Sequence, residues 1–123
     1  MINKGIFYLL VLLLYSINAI GNDLNIPKPL NANDENLYRR VFELQTEGKF
    51  KEAEKLLQKI ENNILIGRVK AQKFLHPTDY ISKFVELRDW LEKYGDHPSA
   101  SRIYWLSKRK KPKSSKSAKK PSG

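Results

Sequence analysis

The side chains with reactive chemistry are few. The chain holds two histidines and no cysteine. Without cysteine there are no disulfides, no thiolate metal sites and no lipid-modified cysteine. His76 and His97 are the candidates for a general base or a metal ligand. Each stands directly before a proline, at the start of a helical pattern. There an imidazole serves the backbone as a cap, and no carboxylate–histidine spacing of a metal motif accompanies either one. Glu43, Glu47, Glu52, Glu54 and Glu61 are the candidates for paired-carboxylate work on a glycosidic bond. They alternate with lysine and arginine, the pattern of a solvated, ion-paired helix surface. The sequence therefore assigns no catalytic residue, no metal ligand and no cofactor site.

Aromatic and basic side chains offer binding chemistry instead. Tyr80, Phe84 and Tyr94 fall on an apolar helical stripe and read as core. Trp90 lies off that stripe, and Trp105 lies near the end of the helical region. These two are the candidates for an interface. Arg39 and Arg40 read as exposed helix charges that an acidic partner can reach. Lys108, Arg109, Lys110, Lys111, Lys113, Lys116, Lys119 and Lys120 form a basic run without a single acid. Such a run binds polyanions by counterion release, with steep salt dependence.

The elements that position these groups are helical throughout. The first is expected over Asp34 to Glu47, capped by Asn33 or Asp34 and stopped at Gly48. Leu37, Val41 and Leu44 give its stripe. The second is expected over Phe50 to Asn62, with Phe50, Ala53, Leu57 and Ile60 on one face. The short break predicts a helical hairpin, and Ala53 is small where the two backbones meet. The third, over Ile64 to Leu75, is apolar around most of its circumference and is expected to pack on two sides. The fourth is expected from Pro77, with Tyr80, Phe84, Leu87, Leu91 and Tyr94 in step, and stops at Gly95. The fifth is expected from Pro98 to just before Pro112, proline being tolerated where its missing N–H costs nothing. The fold class is all-α: about five helices in antiparallel hairpins. Gly48-x-Phe50-x-x-Ala53-x-x-x-Leu57 matches the second-helix pattern of tetratricopeptide-like repeats. With about two and a half units, the repeat is a partial superhelix.

The ends differ in composition from this body. Residues 1–21 read as a signal peptide: Lys4, then the apolar run from Ile6 to Ile17, then small residues with cleavage after Ala19 or Gly21. That run is too short to span a bilayer, so no transmembrane helix is expected after cleavage. Residues 22–33 are an extended lead-in, 34–110 the helical repeat module, and 111–123 a disordered basic tail or linker. Of the 23 basic residues, eight lie from Lys108 onward and one is Lys4, leaving 14 against all 13 acids. The formal charge of +10 thus belongs to the tail and not to the body. Export implies a periplasmic or secreted location. It argues against nucleic acid as the partner of the tail and for an anionic wall polymer or membrane surface.

Three segments carry a family resemblance: YRRVFELQTEGKFKEAEKLL, ILIGRVKAQKFLHPTDY and FVELRDWLEKYGDHPSASRIYWLSKRKKP. They resemble the N-terminal helical region of alphaproteobacterial soluble lytic murein transglycosylases, from about Leu37 to Pro112. The most specific parts are Gly67 to Thr78 and Tyr94 to Pro98. The resemblance implies export to the periplasm and a scaffold of helical repeats. It implies as partners peptidoglycan and a catalytic domain that cleaves glycan strands to a 1,6-anhydro sugar. The family's catalytic glutamate sits in a Glu-Ser dipeptide, and none of the eight glutamates here precedes serine. The expectation is an exported, non-catalytic helical scaffold module, either a fragment or standing alone. The alternative is a small secreted polyanion-binding protein that acts through its lysine-rich tail.

Overall fold

The computed structural model describes residues 27–123. The residues read as a signal peptide, with Ala19 and Gly21, lie outside the described residues. Among those described, five α-helices and one short 3-10 turn form the fold, and there is no strand. The helices are α1 (Ala32–Thr46), α2 (Phe50–Leu57), α3 (Ile66–Phe74), α4 (Phe84–Tyr94) and α5 (Ala100–Lys110). The 3-10 turn, Asn63–Leu65, leads into α3.

α1 and α2 form one hairpin and α4 and α5 a second, with α3 touching both α1 and α4. Gly48 closes α1 with φ +77°, a left-handed conformation that glycine adopts without Cβ strain. The Lys49 N–H then turns back to the Leu44 carbonyl at 2.8 Å. Two apolar clusters result. The first joins Tyr38, Val41, Leu44, Ala53 and Ile60 to Val69 of α3. The second joins Ala71 and Phe74 of α3 to Phe84, Leu87, Trp90, Leu91, Ala100 and Ile103. α3 therefore feeds a core on either side, which is why its sequence carries no broad polar face. Each fully buried Leu or Ile contributes roughly 1.5–3 kcal/mol.

Helix ends depart from the expected ones for identifiable reasons. α1 begins early because Asn31, one turn before, accepts the Asp34 N–H at 2.7 Å. Asp34 is instead buried, and its carboxylate takes the N–H groups of Glu61 (3.1 Å) and Asn62 (2.8 Å). That captures donors the second helix would need to continue, so α2 ends at Leu57 and not at Asn62. α4 begins at Phe84 and not at Pro77. His76 Nδ1 accepts the N–H groups of Thr78 (3.3 Å) and Asp79 (3.0 Å), turning the chain away from helix. The Glu86 carboxylate accepts the Lys83 N–H at 2.9 Å and starts α4 there.

Two buried polar clasps fix α3. Gln45 Nε2 donates to the Val69 carbonyl at 3.0 Å and to Gln72 Oε1 at 2.7 Å. Trp90 Nε1 donates to the Gly67 carbonyl at 2.9 Å. The basic tail also departs from its expected disorder. It turns after Pro112 and returns to the second hairpin, where Ala118 is buried in the core cluster. Its far end is tied by the Ser122 N–H to the Gly95 carbonyl at 2.9 Å. One apolar methyl and one backbone bond to the body hold a strap whose composition alone forms no core.

Candidate functional site

The connection from α3 to α4 runs through residues 75–83 and faces α5. Between them lies a groove of about 520 Å³. Its apolar lining includes Phe74, Leu75, Tyr80 and Ile81 from one wall, and Trp105 and Leu106 from α5. Its charges are Arg102, Arg109 and Lys110, and no aspartate or glutamate lines it. The helical period creates this face: positions 102, 105, 106 and 109 of α5 recur every three or four residues and share one side. A second hollow of about 420 Å³ adjoins it across Leu75, His76, Pro77 and Arg102, adds Arg68, and also lacks an acid.

These cations are not neutralised nearby. Among the described residues, Arg68, Arg102 and Arg109 form no ion pair within 4.0 Å. Arg68 rests over the Phe42 ring at 5.6 Å. Lys110 Nζ donates to the Ser82 carbonyl at 2.5 Å and closes one end of the groove. The Ser82 hydroxyl there is buried without a partner, an orphan that costs about 1–3 kcal/mol. Lys108 Nζ lies over the Trp105 ring, 5.0 Å from its centroid. Guanidinium groups beside an exposed indole suit carboxylate or phosphate oxygens on a partly apolar ligand.

The two tryptophans separate cleanly. Trp105 is 65% exposed at the groove, where an interface residue is expected. Trp90 is 3% exposed and is not an interface residue. It lies off the stripe facing α5 because α4 is also covered by α3, and its ring packs on Tyr94 and His97. Tyr80, Phe84 and Tyr94 are at least half-buried. Sequence reasoning missed Arg102, Ile81 and Ser82. The spacing of Arg102, Trp105 and Arg109 on one helix face was the available signal for the first.

The acid–base candidates are bonded to the backbone, ion-paired or exposed on helix surfaces. His76 Nδ1 holds its two backbone donors, and Nε2 faces the Thr46 carbonyl at 3.4 Å. His97 Nδ1 accepts the Ser99 N–H at 3.0 Å. Glu43, Glu47, Glu52, Glu54 and Glu61 are exposed. Glu43 pairs with Arg40 at 3.1 Å. Lys49 beside Glu47 lowers the carboxyl pKa of that glutamate. Glu86 is half-buried, but the Tyr80 hydroxyl donates to it at 2.5 Å. Burial, with that carboxylate second, pushes the Tyr80 phenol up to about 12. No group of three His, Cys, Asp or Glu able to hold a metal occurs among the described residues.

Of the eight basic residues from Lys108 onward, two donate side-chain hydrogen bonds: Lys110 to the Ser82 carbonyl, and Lys111, whose Nζ donates to the Ser115 carbonyl at 2.7 Å. Lys113, Lys116, Lys119 and Lys120 are exposed along the strap. No helix among the described residues is long and apolar enough to cross a membrane. No protein-family model matches the chain, and no curated protein or solved structure matches it.

Proposed function

We propose that this chain is an exported, non-catalytic helical module that holds an anionic ligand of the cell envelope. In this reading it serves as a scaffold of the lytic transglycosylase-like kind, with its two hairpins and α3 as a partial repeat superhelix. The observation that carries the proposal is the acid-free groove between residues 75–83 and α5, with Arg102, Arg109 and exposed Trp105. A carboxylate or phosphate there meets two guanidinium groups without a competing acid. A non-catalytic role is supported by the chemistry of the carboxylates. Cleaving a glycosidic bond needs an acid kept protonated near neutral pH by an enclosed site. The glutamates here are exposed, apart from the half-buried Glu86, and Lys49 lowers the carboxyl pKa of Glu47.

The full chain should sediment with purified peptidoglycan sacculi and release no anhydro-muropeptides. Arg102→Gln with Arg109→Gln should reduce the bound fraction about tenfold or more, at roughly 1 kcal/mol or so per lost charge–charge contact. Turnover abolished by changing one glutamate would overturn the non-catalytic reading. The alternative assigns binding to the strap and is favoured by its four exposed lysines. It predicts that changing Lys113, Lys116, Lys119 and Lys120 to Gln removes binding while the two arginine changes do not.

A further inference from the structure

We propose that the groove face docks on an anionic bilayer surface, with Ile81 and Trp105 entering the headgroup region and Arg102, Arg109 and Lys108 meeting lipid phosphates. This rests on the reading above, that the face binds anions, and names the partner. The deciding observation is apolar exposure. Ile81 is 82% exposed and Trp105 65% exposed, and both line the same groove. Val85, 51% exposed, follows Ile81 by four residues in the first turn of α4. A hydrophilic polyanion gives a bare isoleucine nothing to contact. A membrane interface takes an aliphatic side chain and an indole together, and takes the surrounding cations at the phosphate level.

Charge and geometry agree with that occupant. The groove is lined by cations without an acid. Lys108 lies over the indole at 5.0 Å, with a side chain long enough to reach water or phosphate while the ring is buried. Ile81 belongs to the connection after Pro77 and not to a helix, so its exposure costs no helix packing. The remaining large exposed apolar residue, Ile64, is 60% exposed in the 3-10 turn before α3 and does not line this groove. It supplies an internal control.

The test uses the full chain with vesicles of phosphatidylglycerol and phosphatidylcholine, with phosphatidylcholine alone, and with soluble polyglutamate. Trp90 is buried, so a blue shift and quenching by brominated acyl chains report Trp105. Both are expected on the anionic vesicles only. By sedimentation, Ile81→Ser and Trp105→Ser should each weaken vesicle binding about tenfold, and Arg102→Gln and Arg109→Gln about fivefold each. Ile64→Ser should leave it unchanged. Equal binding to neutral vesicles, or indifference to Ile81→Ser and Trp105→Ser, overturns the inference. Polyglutamate binding that depends on Arg102 and Arg109, without vesicle binding, overturns it and leaves the anion-binding reading standing. Indifference of every ligand to both arginines overturns the two together.

Discussion

Gly67→Ala tests the packing of α3 on α4, because two opposed effects meet at one atom. Alanine in place of glycine in a helix ordinarily stabilises by about 0.4–1 kcal/mol. Here an added Cβ would stand 2.7 Å from both Cδ1 and Cε1 of Tyr94 and 3.1 Å from its Cγ. Carbon atoms rest at roughly 3.5–4.0 Å, so the ring must retreat by about 1 Å. It is not free to do so. Tyr94 packs on Trp90 at 5.4 Å between centroids, and Trp90 is bonded to the Gly67 carbonyl itself at 2.9 Å. Overpacking of this kind costs about 1–3 kcal/mol, and disturbing the indole bond adds about 1 kcal/mol. The expected net loss is about 1–3.5 kcal/mol, or a fall in Tm of roughly 5–25 °C for a domain of this size. Far-UV circular dichroism on heating reads it. The Tyr94→Ala background removes the obstacle, and there Gly67→Ala should be neutral or stabilising. An unchanged or higher Tm in the parent background, or an undiminished loss beside Tyr94→Ala, refutes the close approach of these helices.

Two further outcomes follow from the same packing. Leu57→Asp should lower stability by roughly 2–4 kcal/mol, since a half-buried leucine of the first cluster becomes a poorly solvated charge, while Lys55→Asp on the exposed face should stay within about 0.5 kcal/mol. Equal melting temperatures for the pair would place the register of α2 in error. Tyr80 sets a pH dependence. Its folded-state pKa is raised to about 12, so its contribution is complete below the unfolded value of about 10 and is lost as pH rises through about 12. Urea unfolding at about pH 9 and about pH 11.5 should show a smaller decline for Tyr80→Phe than for the parent chain, and identical declines would exclude the phenol.

The helical class was legible because local patterning decides it. Val41 and Leu44 of α1, and Leu87 and Leu91 of α4, stand at helical spacing, and all are buried. The two-sided packing of α3 was legible for the same reason: Val69 and Phe74 point to different cores. Helix ends were less legible wherever a distant side chain competes for a backbone donor. Asp34 ends α2 from 27 residues away by taking the Glu61 N–H. No window of sequence around Gln58 contains that information. The tail is a further case of this kind. Its composition argues for disorder, and a single methyl, Ala118, argues otherwise only once the second hairpin offers a place for it.

The site posed a harder problem, because exposure of an aromatic residue is a property of its neighbours. Trp90 and Trp105 both fall outside the obvious stripe of their helices. Trp90 is covered because α4 meets α3 as well as α5, and Gly67 lets that helix come near enough for the indole bond. Trp105 has no third helix to cover it, so the same residue type becomes surface. Its groove then needs Ile81 and Ser82 from a connection more than 20 residues earlier, brought near by the Lys110–Ser82 bond across 28 residues. What the sequence holds locally is the α5 face itself: Arg102, Trp105 and Arg109 at helical spacing, without an acid in the whole of Ala100 to Lys110. The connection opposite brings no acid to that face: it lines the groove with Leu75, Pro77, Tyr80 and Ile81, together with His76 and Ser82. No acid among the described residues pairs with these arginines, and that is the observation on which the proposed binding surface rests.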